Sequence, residues 1–288
     1  MAEAASDLRF DLVVATVDRT DDLDALLTSL DAQTHRAFRV LVVDQNADDR
    51  VQRALAGHPG LETLRLRSPR GLSRARNAAL PSLTADVVAF PDDDCLYVPD
   101  LLERVARRFA ADPGLDGLCG RPLGPDGRSS GRWPSAAQAV TGASVLRTAI
   151  SHTIFLRRRV VDLVGGFDEQ LGLGAGTPWA SGEEIDYLVR AVDGGARVEY
   201  DPFVVITHPV KRVDADELVA LGRRDGGSVG YLLAANRYPP TTILPLLLRP
   251  LVATVAFAVL LDTARARFHL ATLVGRLSGL AAGRRRPR

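Results

Sequence analysis

The sequence predicts an α/β protein built on a largely parallel sheet flanked by helices, and three observations carry that prediction. Over the first hundred residues, short apolar runs alternate with segments whose leucines recur at helical spacing. Polar clusters fall directly after the apolar runs, where an open sheet of this kind presents its ligand-binding edge. At 288 residues, with 46% apolar and 25% charged, the chain has enough apolar residues for a sizeable core in one or two domains, which excludes a disordered or collagen-like polymer.

The apolar run 12–16 is short enough for a buried strand. Leu23, Leu26, Leu27 and Leu30 then fall at i, i+3, i+4 and i+7 and predict a helix, with Asp21, Asp22 and Asp24 in its first turn, where carboxylates suit the helix dipole. Runs at 40–43, 61–66 and 87–90 predict three more strands, and helices are expected near 48–55 and 73–80. The second half is less regular. A loop-rich stretch (120–135) precedes a strand-like run at 154–156 and a glycine-rich loop, 165–182. A helix is expected next, capped by Ser181 or Gly182, with Ile185, Leu188, Val189 and Val192 on its apolar face. Two short strands, 198–200 and 203–206, end at Thr207 and His208.

Charge and cysteine content exclude several classes. Thirty-six basic residues against 35 acidic ones leave a net charge of +1, so no global field draws in nucleic acid, and no nucleic-acid partner is expected. Cys95 and Cys119 have neither zinc-ligand nor disulfide-framework spacing, which suits a reducing compartment. The first nine residues lack an apolar core, so no signal peptide is expected and the catalytic part is placed in the cytoplasm.

The strongest local signal is Asp92-Asp93-Asp94 after the fourth strand. Adjacent carboxylates repel unless a cation holds them, and hard oxygen ligands call for Mn2+ or Mg2+ with a nucleoside diphosphate completing the shell. The plainer reading is a solvated acidic turn before the next helix. Glu183, Glu184 and Asp186 offer a general base at a helix start, or serve only that helix's N-terminus. His208 is a candidate metal ligand or phosphate donor. Arg74 and Arg76 are candidate phosphate or base contacts, and Trp179 in the glycine-rich loop is either a sugar-stacking or lid residue on the acceptor side or only a surface aromatic anchoring the loop. There is no Walker loop and no GxSxG, and the GxGxG at 172–176 lacks the strand-to-helix setting of a dinucleotide fingerprint.

Taken in order, these pieces resemble the family 2 glycosyltransferases, inverting enzymes of the GT-A fold, a Rossmann-like mostly parallel sheet. The resemblance runs from about Asp11 to Pro209. It rests on Ala15-Thr16, Leu41-Val42-Val43-Asp44, Gly71-Leu72-Ser73-Arg74-Ala75-Arg76-Asn77, Phe90-Pro91-Asp92-Asp93-Asp94, Gly165-Gly166-Phe167-Asp168-Glu169, Gly182-Glu183-Glu184-Ile185-Asp186 and His208-Pro209. It implies a nucleotide-sugar donor, UDP- or dTDP-linked, with Asp44 accepting from the N3–H of the base and Thr16, Asp18, Arg74 and Arg76 lining the nucleotide site. Asp94 becomes the direct metal ligand, Asp92 or Asp93 faces the ribose, and Asp92 and His208 are further metal candidates. Glu184 falls on the base position, where relatives commonly carry aspartate, with Glu183 and Asp186 as competitors. The QxxRW sequence of processive synthases is absent. A nucleotidyltransferase and an inactive nucleotide-binding scaffold are the alternative readings.

Residues 243–261 are almost wholly apolar, but Pro245, Arg249 and Pro250 interrupt them. The uninterrupted run after Pro250 falls well short of the roughly 20 residues that span a bilayer. With the basic end 284–288, this predicts a pair of interfacial helices on an anionic membrane surface, peripheral at the inner face of the cell membrane, or else a packed helical hairpin. The expected organisation is a catalytic domain over 1–240, split into a nucleotide-binding half (1–115) and an acceptor-binding half (116–240), followed by the C-terminal helices (241–288). The acceptor would be a glycan or lipid-linked sugar of cell-surface synthesis.

Overall fold

The computed structural model describes residues 7–129, 131–209 and 213–284. The basic end from residue 285 onward lies outside the described residues. The chain divides into two compact units, residues 1–167 with 187–210, and residues 168–186 with 211–288.

The first unit is built on an eight-stranded sheet of order β3-β2-β1-β4-β7-β5-β8-β6. Its strands are β1 (Phe10–Thr16), β2 (Phe38–Asp44), β3 (Thr63–Arg67), β4 (Val87–Ala89), β5 (Gly117–Leu123), β6 (Gln138–Ala139), β7 (Ile154–Arg157) and β8 (Val198–Thr207). The half formed by β3, β2, β1 and β4 is parallel throughout. Beyond it, β7 runs antiparallel to both β4 and β5, while β8 is parallel to β5.

Central parallel strands are covered on both faces, so they read as continuous apolar runs. Leu12, Val13, Val14, Val40, Leu41, Val42 and Val43 are accordingly all buried. Helices α1 (Thr20–Asp31), α2 (Arg50–Ala56), α3 (Leu72–Ala79) and α4 (Leu101–Ala111) connect these strands. The leucines of α1 at 23, 26, 27 and 30 are all fully buried, as their spacing predicts. On α4, Leu101, Leu102, Val105, Ala106 and Phe109 are buried in the same core. Two short helices follow, α5 (Val145–Thr148) and α6 (Arg158–Val164).

The two strands expected at 198–200 and 203–206 form one strand, β8, which continues through Pro202. Its pairing with β5 jumps from Cys119 opposite Tyr200 to Arg121 opposite Val205, and this irregularity absorbs the proline, which has no N–H for the ladder. Gly120 permits the close approach, because a Cβ there would lie 2.1 Å from the Val204 carbonyl oxygen.

Helix α7 (Glu183–Asp193) begins directly after Gly182, whose carbonyl accepts from the backbone N–H of Asp186. The Ser181 hydroxyl instead bonds Asp225 at 3.2 Å.

Three long helices make up most of the second unit: α8 (Ala215–Ala235), α9 (Pro240–Val259) and α10 (Thr263–Gly283). Asp214 caps α8 by a capping box with Glu217. Helices α8 and α10 touch backbone to backbone through glycines: a Cβ on Gly279 would lie 2.0 Å from the Gly227 carbonyl oxygen, and one on Gly230 would lie 2.1 Å from that of Arg276. Helix α9 does not break at Pro250. Proline cannot donate to the carbonyl four residues earlier, Leu246, and the Arg276 guanidinium of α10 donates to it instead. The outcome is one unbroken apolar helix of 20 residues, long enough by length and composition to cross a membrane, which corrects the length argument drawn from the run after Pro250.

Candidate active site

The candidate site of the first unit lies where the parallel strands end. β1 ends at Thr16, β2 at Asp44, and the chain beyond β4 bridges back to β1 by pairing Ala15 with Asp92. β8 ends at Thr207, which pairs with Leu96, so His208 emerges at the same edge. Because β7 runs antiparallel to β4, its beginning rather than its end reaches this edge, and it delivers the turn Ser151–Thr153.

Asp92 collects most of the contacts. His152 Nδ1 lies 3.0 Å from Asp92 Oδ2, the Ser151 hydroxyl donates to Asp92 Oδ1 at 3.2 Å, and Arg76 Nη2 lies 3.4 Å from Asp92 Oδ1. His208 Nε2 is 3.9 Å from Asp92 Oδ2 and 3.1 Å from Asp94 Oδ1. The two imidazoles stack, with ring centroids 4.5 Å apart. Burial opposes a charge on Asp92, but His152, Arg76 and His208 outweigh it and hold the carboxyl well below the usual range. Asp94 is likewise lowered, against its burial, by His208 and Arg19. Burial and those two carboxylates act on His208 in opposite senses, and Asp94 and Asp92 prevail, raising it.

Asp93 behaves differently. Burial pushes its carboxyl up to about 6, with the Thr16 hydroxyl and Arg19 pulling against that rise. Arg19 bridges the pair, its Nη1 lying 3.0 Å from Asp93 Oδ1 and 2.6 Å from Asp94 Oδ2.

This donor set fits a divalent cation. Asp92, His152 and His208 offer ligand atoms that all lie within 4.8 Å of one another. His152 is buried, and its Nε2 has no hydrogen-bond partner among the described residues, an expensive state for a polar atom unless something is to bind there. Carboxylate oxygens with imidazole nitrogens suit a first-row ion such as Mn2+.

The other candidates distribute as follows. Asp44 is fully buried: Oδ1 accepts from the Asn46 backbone at 2.9 Å and side chain at 2.8 Å, and Oδ2 from Arg65 at 2.7 Å. Burial disfavours its charge, but these donors keep it ionised and its pKa lowered. Arg76 is buried, its guanidinium lying over the touching rings of Phe90 and Phe167. Arg74 donates to the Arg70 carbonyl at 2.8 Å, and Asp18 pairs with Arg70 at 2.6 Å.

In the second unit, the α7 start separates its three carboxylates by burial. Glu183 and Asp186 are buried, and Asp186 Oδ1 accepts from Asn236 at 3.3 Å. Glu184 is the half-exposed one of the three. Trp179 stacks on Tyr231 with centroids 5.1 Å apart and packs against Gly227.

Sequence reasoning missed His152, Ser151, Arg19 and Arg65. A lone histidine before a strand carries no signal unless that strand is known to run antiparallel. Arg19 and Arg65 are hidden among 35 arginines.

The sequence model of Glycosyl transferase family 2 matches residues 11–164, more than half of the chain. The chain belongs to this family. Among sequence relatives, it is 29% identical over 244 residues to the pre-mycofactocin glycosyltransferase of Mycobacterium tuberculosis, covering 80% of this chain and 48% of that protein. It is 26% identical to the succinoglycan biosynthesis protein ExoM of Rhizobium meliloti, over 80% of this chain and 77% of that one. The chain thus spans about half the length of the mycobacterial relative. Among solved structures, the mannosyltransferase PcManGT of Pyrobaculum calidifontis, in complex with GDP-Man and Mn2+, superposes with a TM-score of 0.62 at 18% identity, over 95% of this chain and 87% of that one. Residues 1–349 of S. aureus TarS with UDP-GlcNAc give 0.57 at 18% identity, over 94% and 91%. At such identities the likeness establishes the GT-A fold of this family 2 member.

Proposed function

We propose that this protein is a metal-dependent, inverting glycosyltransferase that moves one sugar from a nucleoside diphosphate sugar to a hydroxyl of a membrane-associated glycan or lipid-linked acceptor. The observation that carries the reading is the convergence of Asp92, His152 and His208, with Asp94 beside them, at the end of a parallel sheet in a family 2 chain. When bound, a divalent cation supplies neutralisation of the charge that develops on the leaving diphosphate. Asp92, Asp94 and His208 would hold it, with His152 Nε2, unpartnered among the described residues, as a further donor, while His152 Nδ1, Ser151 and Arg76 orient Asp92. Asp44, kept ionised by Arg65 and Asn46, would accept the N3–H of a uracil or thymine base.

Glu184 takes the acceptor's hydroxyl proton as its oxygen bonds to the anomeric carbon, and the nucleoside diphosphate departs from the opposite face. One displacement inverts the configuration. Glu183 and Asp186 are less suited, because both are buried.

Helix α9 supports a membrane setting for the acceptor. Leu244, Leu248, Leu251, Val252, Val255 and Val259 form an exposed stripe along it. Exposed Arg249 on α9, with Arg265 and Arg267 on the adjacent α10, suits an anionic lipid surface at the cytoplasmic face of the cell membrane. Helix α8, which packs on α10, carries Arg223, Arg224 and Asp225 in mid-helix, and these charges favour the helices lying in the interface over a crossing.

The test is a donor panel of UDP-, dTDP- and GDP-sugars incubated with membrane lipid extract and Mn2+, reading nucleoside diphosphate release and the anomer of the product by NMR. Product of inverted configuration from one donor supports the reading. Retained configuration, or no release from any donor, contradicts it.

A further inference from the structure

The turn between β1 and α1 places an arginine where the proposed mechanism wants a cation. Asp18 there has φ of 60°, a left-handed conformation that residues other than glycine seldom adopt, and its backbone N–H donates to Asn46 Oδ1 at 2.8 Å. The turn is thereby tied to the end of β2. The next residue is Arg19, whose single nitrogen Nη1 reaches both Asp93 Oδ1 at 3.0 Å and Asp94 Oδ2 at 2.6 Å. The two carboxylates are buried, whereas the arginine side chain is one-third exposed. Buried adjacent carboxylates need a counter-charge, and here it comes from a long, flexible side chain with a route to solvent.

We propose that Arg19 is the site's own stand-in cation, neutralising Asp93 and Asp94 while no divalent ion is bound and releasing Asp94 when one enters. The inference rests on the metal reading given above. Arg19 and the ion compete for the same carboxylate, so Arg19 lowers the affinity for the free ion. Once displaced, its planar fork of donors suits the oxygens of the diphosphate. Metal and donor binding would then be coupled, each assisting the other, because the diphosphate gives Arg19 a partner to replace the one it lost.

The experiment titrates Mn2+ alone into the wild-type protein, Arg19→Gln and Arg19→Lys by calorimetry, and then titrates UDP at saturating Mn2+. If Arg19 occupies Asp94 for nine-tenths of the time in the ion-free protein, Arg19→Gln should bind Mn2+ alone about tenfold more tightly. The same variant should bind UDP in Mn2+ about tenfold more weakly, having lost a charge-assisted contact. Arg19→Lys, which keeps the charge, should lie between Arg19→Gln and wild type in Mn2+ affinity.

Unchanged or weaker Mn2+ binding by Arg19→Gln, with wild type binding normally, would overturn the role of Arg19 and leave the metal reading intact. A wild-type protein that binds no Mn2+ would overturn both. A second measurement does not depend on Arg19→Gln folding: the Arg19 guanidinium signal of the wild-type protein in 15N NMR, assigned through the conservative Arg19→Lys, should show restricted rotation without cation and lose that restriction when Mg2+ is added. A signal indifferent to saturating Mg2+ would overturn the proposal.

Discussion

His152 Nδ1 lies 3.0 Å from Asp92 Oδ2, and the rest of the His152 ring is sealed from solvent. The pairing fixes how Asp92 presents its other oxygen and leaves Nε2 without a partner among the described residues. His152→Phe keeps the ring that stacks on His208 and removes both nitrogens. It should weaken Mn2+ binding by about 10–100-fold. Calorimetry of Mn2+ with both proteins checks this, and equal affinities would show that His152 neither holds nor orients the ion.

Glu184 is the half-exposed carboxylate at the start of α7. Glu184→Gln keeps the size and removes the proton acceptor, so turnover should fall by about a hundredfold or more with donor affinity nearly unchanged. Asp186→Asn should slow the chemical step less, since Asp186 is held by Asn236. Steady-state kinetics with donor binding measured separately distinguishes them. An inactive Asp186→Asn beside an unimpaired Glu184→Gln would reverse the assignment.

The parts of the fold that were legible in the sequence are those whose causes are local. The strands β1, β2 and β4 announce themselves because both faces are buried, and α1 because its leucines keep to one side. Three features were hidden because their causes lie far along the chain. His152 reaches the site only because β7 runs against β4. Strand β8 survives Pro202 because Gly120, on another strand, lets the backbones meet. Pro250 does not end α9 because Arg276, 26 residues later, bonds the carbonyl the proline leaves unmet. Of the site, the aspartates and His208 stood out by position after a strand, whereas Arg19 and Arg65 could be told from other arginines only by their neighbours.

Val252 and Val255 lie on the exposed stripe of α9, more than half exposed, so little packing is lost on replacing them. Val252→Glu with Val255→Glu should leave the fold unchanged and reduce partition onto vesicles containing anionic lipid by about tenfold or more, because two apolar groups at the lipid boundary become negative charges that the anionic surface repels. Co-sedimentation with vesicles reads the effect. Undiminished binding by the double variant would place the lipid contact elsewhere or turn the stripe over to another partner.

His58 connects α2 to β3 and sits between two carboxylates of α1, with Nδ1 2.6 Å from Asp31 Oδ2 and Nε2 3.1 Å from Asp24 Oδ1. Burial disfavours the imidazolium, but the Asp31 and Asp24 bonds outweigh it and raise the pKa above the ordinary 6.5. A folded-state pKa above the unfolded one contributes stability that is complete below about 6.5 and is lost as pH rises through the folded value. Urea unfolding should therefore show wild type losing stability relative to His58→Gln on going from acidic to alkaline pH across that window. Parallel pH profiles for the two proteins would remove the imidazolium from the account.

The most direct test of the central claim is calorimetric binding of nucleoside diphosphate sugars to the wild-type protein and to Asp94→Asn, with and without Mn2+. Asp94 lies 3.1 Å from His208 and 2.6 Å from Arg19, so losing its charge leaves the diphosphate and its ion poorly compensated. Wild type should bind a UDP- or dTDP-sugar with Mn2+ at least about tenfold more tightly than without it, and Asp94→Asn should lose that gain. Donor binding that ignores Mn2+ in both proteins, or the same Mn2+-dependent affinity in the variant as in wild type, would contradict the metal-dependent glycosyltransferase reading.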